Sequence, residues 1–418
     1  MLQRAEPEAA PSGGPSRTAG PAGLAPFASP AYRYLFAGTS LTMAGYFMQV
    51  VAQGWLVYDL TGSPIWLGIT SFASGIPMLV LSLPAGVLVD RFDRRGVLIV
   101  AQAGLALIVM ILAGLIGAGL VQAWQVAVAA LAGGCLFVLI IPARMALLPT
   151  SVPRPRLGAA IALLSIGQNS GRVIGPALTG VLIAAFGVAT SFAVQAAGLL
   201  LALVCAMRLP TSPPARRSRE RSASQDLLDG LSYVRRDPTV LALIALQAIP
   251  SFLLMPYIQL LPIFARDILH AGPEGLGTLM TAGGVGAVLG SVGIVLLPTR
   301  HRGLLLLASL ATFGLLLAAF AASTWLPLSI AIMGLIGVAQ AVYLATNNTL
   351  VQLAVPDALQ GRVMSVYTMT WGLMPLGSLP QGILADGLGA PIVVAGSGLL
   401  GCLVVAVMAV RSAALRRL

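Results

Sequence analysis

The stretch Gly86-Val87-Leu88-Val89-Asp90-Arg91-Phe92-Asp93-Arg94-Arg95-Gly96 decides how this chain is read. It closes a long apolar run. Within about a turn and a half of helix, residues suited to hydrocarbon give way to five charges. A helix leaving a bilayer reads in this way, and the arginines mark the side on which it leaves as cytoplasmic.

The rest of the composition agrees. Of 418 residues, 58% are hydrophobic and 9% charged, whereas a soluble domain carries about 25% charged residues. Apolar runs recur at the length of about 20 residues that spans a bilayer. The formal charge of +11 is no nucleic-acid footprint, because the arginines sort to one side of the expected membrane. All 24 basic residues are Arg. Without Lys there is no P-loop and no Schiff base, so no energy from bound ATP is expected. Cys135, Cys205 and Cys402 lie far apart in apolar runs and read as packing residues. His270 and His301 fall in loops on opposite sides and make no joint metal site. No cofactor, metal or enzymatic role is expected.

Twelve spans are predicted: about 34–58, 64–89, 97–119, 122–147, 158–184, 188–207, 240–264, 274–297, 303–322, 326–350, 362–385 and 390–411. Residues 1–30, rich in Ala, Pro and Gly, read as a disordered cytoplasmic tail rather than a signal peptide. The expected plan is therefore a tail (1–30), a six-helix bundle (31–207), a linker (208–239), a second six-helix bundle (240–411) and a short tail (412–418). With the N-terminus inside, 21 arginines outside the spans lie on the cytoplasmic side and one, Arg266, on the other. That asymmetry fixes the expected orientation, with both termini cytoplasmic.

The chain also repeats itself. Pro64-x2-Leu67-Gly68 opens span 2 and Pro273-x2-Leu276-Gly277 opens span 8. Gly180-x6-Gly187 ends span 5 and Gly382-x6-Gly389 ends span 11. Val152-Pro153 and Val355-Pro356 lead into those two spans, at offsets of 202 to 209 residues throughout. Two parallel repeats of six spans predict an all-α membrane fold of two pseudo-symmetric bundles. The linker offers a short amphipathic helix, with Leu227, Leu228, Leu231 and Val234 on one side. It reads either as a helix lying on the cytoplasmic membrane surface or as a solvated basic linker.

Polar residues inside the spans are few. Arg172 is the one charge well inside a span, and Gln168 shares its face one turn back. A charge at such depth faces a wet cavity or bonds backbone carbonyls. Gln49 and Gln53 on span 1, Met255 and Gln259 on span 7, Gln340, Tyr343 and Asn347 on span 10, and Tyr367, Trp371 and Met374 on span 11 recur at helical spacing. Singly, each serves as interhelical packing or glue. Together they suggest one central, mostly apolar, weakly polar cavity. No Asp or Glu lies mid-span; Asp90 first and Asp59 second are the candidates for coupling to protons, with capping as their plainer role.

The pattern Gly86-x3-Asp90-Arg91-x2-Arg94-Arg95, placed after a second span, resembles the signature loop of the major facilitator superfamily, with Asp93 where that pattern usually has Gly. The resemblance implies a latch on the cytoplasmic side. In it Gly86, Asp90, Arg91, Arg94 and Arg95 dock near Gln360-Gly361-Arg362 at the start of span 11, with Arg144 as a second partner for Asp90. The plainer reading is that these charges only set topology. Gly167, Gly171, Gly175, Pro176 and Gly180 resemble the antiporter motif of drug exporters in that superfamily, and they also permit close packing and bending. Ala52-Gln53-Gly54-Trp55, the Pro142-Ala143-Arg144 turn, Asp229-Gly230-Leu231-Ser232-Tyr233 and Gln360-Gly361-Arg362-Val363-Met364-Ser365 resemble the enterobactin-exporter and macrolide-efflux branch. What that implies is a monomeric multi-pass protein of the cytoplasmic membrane. It would export a small amphipathic substrate, a drug or a siderophore, in exchange for protons by rocking its two bundles. An importer of a small metabolite, or a non-transporting receptor on the same fold, are the alternatives.

Overall fold

The computed structural model describes residues 22–212, 223–296 and 301–411. The expected tails at 1–21 and 412–418, the linker arginines Arg216, Arg217, Arg219 and Arg221, and Arg300 lie outside the described residues. Every regular element among those described is helical. The first half holds α1 (Pro30–Thr61), α2 (Pro64–Arg91), α3 (Arg94–Gly117), α4 (Ala123–Ser151), α5 (Leu157–Phe186) and α6 (Val188–Met207). A linker helix, α7 (Ala223–Arg236), follows. The second half holds α8 (Pro238–Leu253), α9 (Tyr257–Ile263), α10 (Gly272–Leu296), α11 (Arg302–Ala322), α12 (Leu326–Ala354), α13 (Asp357–Met369), α14 (Leu373–Leu388) and α15 (Ala390–Arg411). Ten helical segments are long and apolar enough to cross a bilayer; α5 and the α13–α14 pair complete the twelve expected spans.

Proline and glycine set the boundaries. Prolines open α1, α2 and α8, where the missing N–H has no partner to lose. Gly62, at φ +60°, ends α1 in the left-handed conformation that glycine adopts without strain. Span 7 is broken because Pro256 has no N–H to continue α8. The break frees the Leu253 carbonyl, which accepts from Gln381 Nε2 of α14 at 2.6 Å. Span 11 is broken by a 3-10 turn at Thr370–Gly372. The expected disordered tail does not extend to residue 30, because residues 22–28 form a 3-10 turn whose Phe27 packs edge-on against Tyr32 and Phe36. Ser29 then accepts from Tyr32 N and donates to Ser151 O at 2.7 Å, tying the entry to α4.

The two halves pack alike. In the first, α1 packs on α5, α2 on α4 and α3 on α6; in the second, α8 packs on α14, α10 on α12 and α11 on α15. The halves meet along two seams, α2 with α14 and α5 with α10. Each seam carries a glycine pair, and the pairs are repeat-related. A Cβ built on Gly382 would lie 2.7 Å from Pro64 O and 3.1 Å from Gly68 Cα. One built on Gly180 would lie 3.0 Å from both Pro273 O and Gly277 Cα. The residues that reveal the internal repeat are thus the ones that let the backbones of the two halves touch.

The linker helix does not simply lie flat on a membrane surface. Val234 is buried, Leu231 packs against the core, and a Cβ on Gly230 would lie 2.6 Å from Arg362 O. Asp229 accepts from Arg362 Nη1 at 3.0 Å. Helix α7 is therefore docked on the start of span 11, with Leu228 outward.

Candidate functional site

A cavity of about 270 Å³ lies at mid-depth, walled by α1, α2, α4 and α6 of the first half and closed by Gln259, Trp371, Met374 and Pro375 of the second. Among the described residues no acidic or basic side chain lines it. Gln49, Gln53, Gln259, Trp371 and Met374, all expected in a central cavity, line it. Tyr46 and Phe137 stack beside it with ring centroids 4.8 Å apart.

The other expected cavity residues are elsewhere. Arg172 donates to Gln340 Oε1 of α12, and Gln340 Nε2 contacts Met255 Sδ at 2.8 Å, so these three bridge the halves at mid-depth beside the α5–α10 seam. Gln168 is half-buried and outside the cavity. Tyr343 and Tyr367 donate to Gln247 Oε1 at 2.9 and 3.0 Å, and Asn347 Nδ2 donates to Leu243 O at 3.2 Å and to Gln247 Oε1 at 3.4 Å. These form a closed cluster inside the second half. The single expected cavity is thus one open pocket, one bridge and one sealed cluster. Tyr367 parts from Trp371 and Met374 because Trp371 sits in a 3-10 turn, which breaks the helical register that placed all three on one face.

Gln247 and Gln195 belong to none of the polar faces or motifs of the sequence. Each is a lone amide in a long apolar helix, buried at 0% and 2% exposure. That isolation was the available signal, because an amide in such a helix needs a partner.

At one end the halves are tied together. Asp59 Oδ1 accepts from Arg266 Nη1 at 3.2 Å, Tyr58 donates to Asp267, and Ser63 reaches Asp386 at 3.4 Å. About two turns inward Ser71 and Ser378 share a hydrogen bond at 3.0 Å. The seams then run past Gly75 against Pro375 and Gly284 against Arg172 O, and on the α2 side as far as Gly372 against Leu79.

At the other end the linker helix α7 touches both α2 and α13, and most residues of the expected latch have partners within the first half or in that helix. Gly86 has no atom within 4 Å of a built Cβ, so it supports no close approach here. Arg94 Nη1 reaches Ala146 O at 3.4 Å and Arg95 Nη2 bonds Met207 O, both inside the first half. Asp93, in place of the usual glycine, caps α3 through Gly96 N and holds Ser212 N, each at 2.9 Å. Arg144 is not a partner of Asp90. It lies buried two turns inside α4 and donates to Gly38 O at 3.3 Å and to Thr42 Oγ1. Arg362 is held by Asp229 of the linker helix, Asp90 is half-buried at the end of α2, and Arg91 is exposed. Gly167, Gly171 and Gly175 pack against Phe36, Ser40, Ala44 and Phe47 of α1, within one bundle, while Pro176 and Gly180 face α10.

A profile of the family described as "Transmembrane secretion effector" matches residues 21–418. The multidrug efflux pump Tap of Mycobacterium tuberculosis is 30% identical over 376 residues, covering 86% of this chain and 88% of that one. The enterobactin exporter EntS of Shigella boydii is 27% identical over 386 residues, 91% of each chain. The crystal structure of the nucleoside transporter NupG superposes with a TM-score of 0.74 at 14% identity, over 90% of this chain and 98% of that one, and shows the fold.

Proposed function

Since the chain belongs to the transmembrane secretion effector family of the major facilitator superfamily and is a multi-pass membrane transporter, we propose that it exports a small amphipathic molecule across the cytoplasmic membrane by alternating access. The cargo is a drug, a macrolide-like compound or a siderophore. One observation carries the reading: a cavity with no charged lining residue among those described lies between the two halves, and an ion pair and hydrogen bonds join the halves at one end of it. With the termini placed inside by the arginine asymmetry, the tied end is the outer one and the cavity serves the cytoplasm. Rocking about the seams, with the outer ties broken and Asp90 and Arg362 re-paired near each other, would turn the same cavity outward.

Proton antiport is the proposed energy source, with the exchange acting on gate carboxylates. Asp90 comes first and Asp59 second, because no acid lies mid-span to take that role. The protein acts as a monomer in this scheme. Inverted membrane vesicles test it with a panel of drugs and siderophores whose toxicity or loss changes in a deletion strain. Vesicles acidified inside should accumulate the cargo and release it when the gradient collapses. Accumulation that ignores the gradient would remove antiport, and uptake only into right-side-out vesicles would make the protein an importer.

A further inference from the structure

The bridge at mid-depth holds a charge that nothing neutralises. Arg172 donates to Gln340 Oε1, and this is its one hydrogen bond among the described residues. No carboxylate pairs with it there. The ionisable side chain that its charge reaches is Tyr257 of α9, which carries no charge near neutral pH. A guanidinium has five N–H donors, so most of this one is unused. Arg172 Nε and Nη1 are not among the side-chain atoms that are buried without a partner, so they stay accessible.

The way to them is polar. Ser165, Asn169 and Arg172 stand at helical spacing on one face of α5, and Ser165 and Asn169 are exposed. This face leads to the bridge from the end of α5 that the proposed orientation places inside. The apolar exposed residues Ile166, Ile174 and Leu178 lie on a different face of the helix.

The internal repeat marks the same place. Gly180 and Gly382 set an offset of 202 residues, which pairs Asn169 with Trp371 and Arg172 with Met374. The offset of 203 between Val152-Pro153 and Val355-Pro356 pairs Gln340 with Phe137. Trp371, Met374 and Phe137 all line the open cavity. The corner at Arg172 and Gln340 is thus the counterpart of the cavity wall, with a cation and an amide in place of a thioether and an aromatic ring.

We propose that Arg172, reached along the Ser165–Asn169 face, is an anion subsite that takes the carboxylate of a small organic acid. A charge at this depth is costly until a counter-charge and acceptors meet it. An ionised carboxylate supplies both to the unused guanidinium N–H groups, in the planar geometry that suits arginine. Calling this acid cargo rests on the export reading; its binding does not.

Two probes of one shape test it, by calorimetry on the full chain in nanodiscs of zwitterionic lipid. 2-Naphthoate carries the carboxylate, and 2-naphthamide is its neutral counterpart. Naphthoate should bind, with naphthamide weaker by about tenfold or more, the size of a charge-assisted hydrogen bond. In Arg172→Gln the two should bind alike. Asn169→Asp changes an exposed side chain and sets a carboxylate three residues from Arg172, where it can pair with the guanidinium. It should weaken naphthoate by about tenfold or more, and it decides even if Arg172→Gln fails to fold. Equal binding of the two probes by the wild-type protein, tighter binding of naphthamide, or binding of neither overturns the proposal. So does a naphthoate preference that survives in the variants, which would put the anion on another arginine of the chain. Naphthoate flux in vesicles is read separately: selective binding without flux removes the export reading of this acid alone, and flux without selective binding removes the subsite alone.

Discussion

The two halves bury the same junction with different chemistry. In the first half Arg144 of α4 donates to Gly38 O and Thr42 Oγ1 of α1, and Gln102 Nε2 joins Thr42 at 3.1 Å. In the second half Asn347 of α12 donates to Leu243 O and Gln247 Oε1 of α8. The paired positions stand about 205 residues apart, the spacing of the internal repeat. One duplicated site therefore carries a guanidinium in one copy and a neutral amide in the other. Among the described residues no carboxylate reaches Arg144, which is 4% exposed. The second half closes this junction without a charge, so the guanidinium of the first is a candidate for a role beyond packing, as an intramembrane charge is by default.

The largest effect should come from making the copies match in the charged sense. Asn347→Arg places a second guanidinium in a site where Tyr343 and Tyr367 already occupy Gln247. An uncompensated buried charge costs about 3–5 kcal/mol, and loss of folded, monodisperse protein in detergent is the expected outcome. A variant that purified with an unchanged melting temperature would show that the second half has water or space at this junction.

The reverse exchange should separate stability from function. Arg144→Gln retains donors toward Gly38 O and Thr42 and removes the charge. The melting temperature should stay within a few degrees of wild type or rise, while gradient-driven flux falls by roughly tenfold or more, because conserved stability with lost transport is what a functional intramembrane charge gives. If flux is retained, the guanidinium is only a longer amide, and the two junctions are equivalent after all.

How much of this was visible in the sequence follows the same division. The spans, their orientation logic and the repeat rest on apolar runs, arginines and Pro or Gly punctuation, which act locally, and the glycine pairs of the seams were named by the repeat itself. Side-chain destinations depend on which helix faces which. Arg144 sits three residues below Ile141 of the cavity wall, yet its partners come from α1, more than a hundred positions back. Gln340 and Tyr343 lie within one turn of α12 yet serve a bridge and a sealed cluster respectively. Periodicity placed such residues on a helix face, and only the packing of α8 and α12 decided which faces were closed. The resemblance puts Arg362 beside Asp90, and nothing in the sequence marks Asp229 of the linker helix as also pairing with it.

The seams offer an intermediate test of the twofold relation. Gly277→Val adds atoms where a Cβ alone would lie 2.7 Å from Pro176 O, and Gly68→Val does so 2.9 Å from Ser378 O. Because the two contacts are repeat-related, each substitution should wedge its seam open to a similar degree, by about 1–3 kcal/mol of overpacking. Cysteines placed at Thr61 and Gly387 would report this as faster labelling from outside. A large response at one seam and none at the other would mean that the halves pivot about one seam instead of parting at both.

The smallest effect belongs to the charged tie between Arg266 and Asp59, at the end assigned to the outside in the proposed orientation. Arg266 and Asp59 join the halves with side chains 42% and 54% exposed, and pairs so open to solvent contribute about 0–1 kcal/mol. Asp59→Asn should shift the population toward the outward-open state by at most about fivefold, read by the same outside labelling, and the shift should shrink at high salt. Tyr58 and Asp267 hold the same end through a second contact, so loss of the ion pair alone leaves the gate closed most of the time. A response as large as that of a wedged glycine seam would reverse the ranking. The outer end would then be held by charge, and the backbone contacts along the seams would only guide its motion.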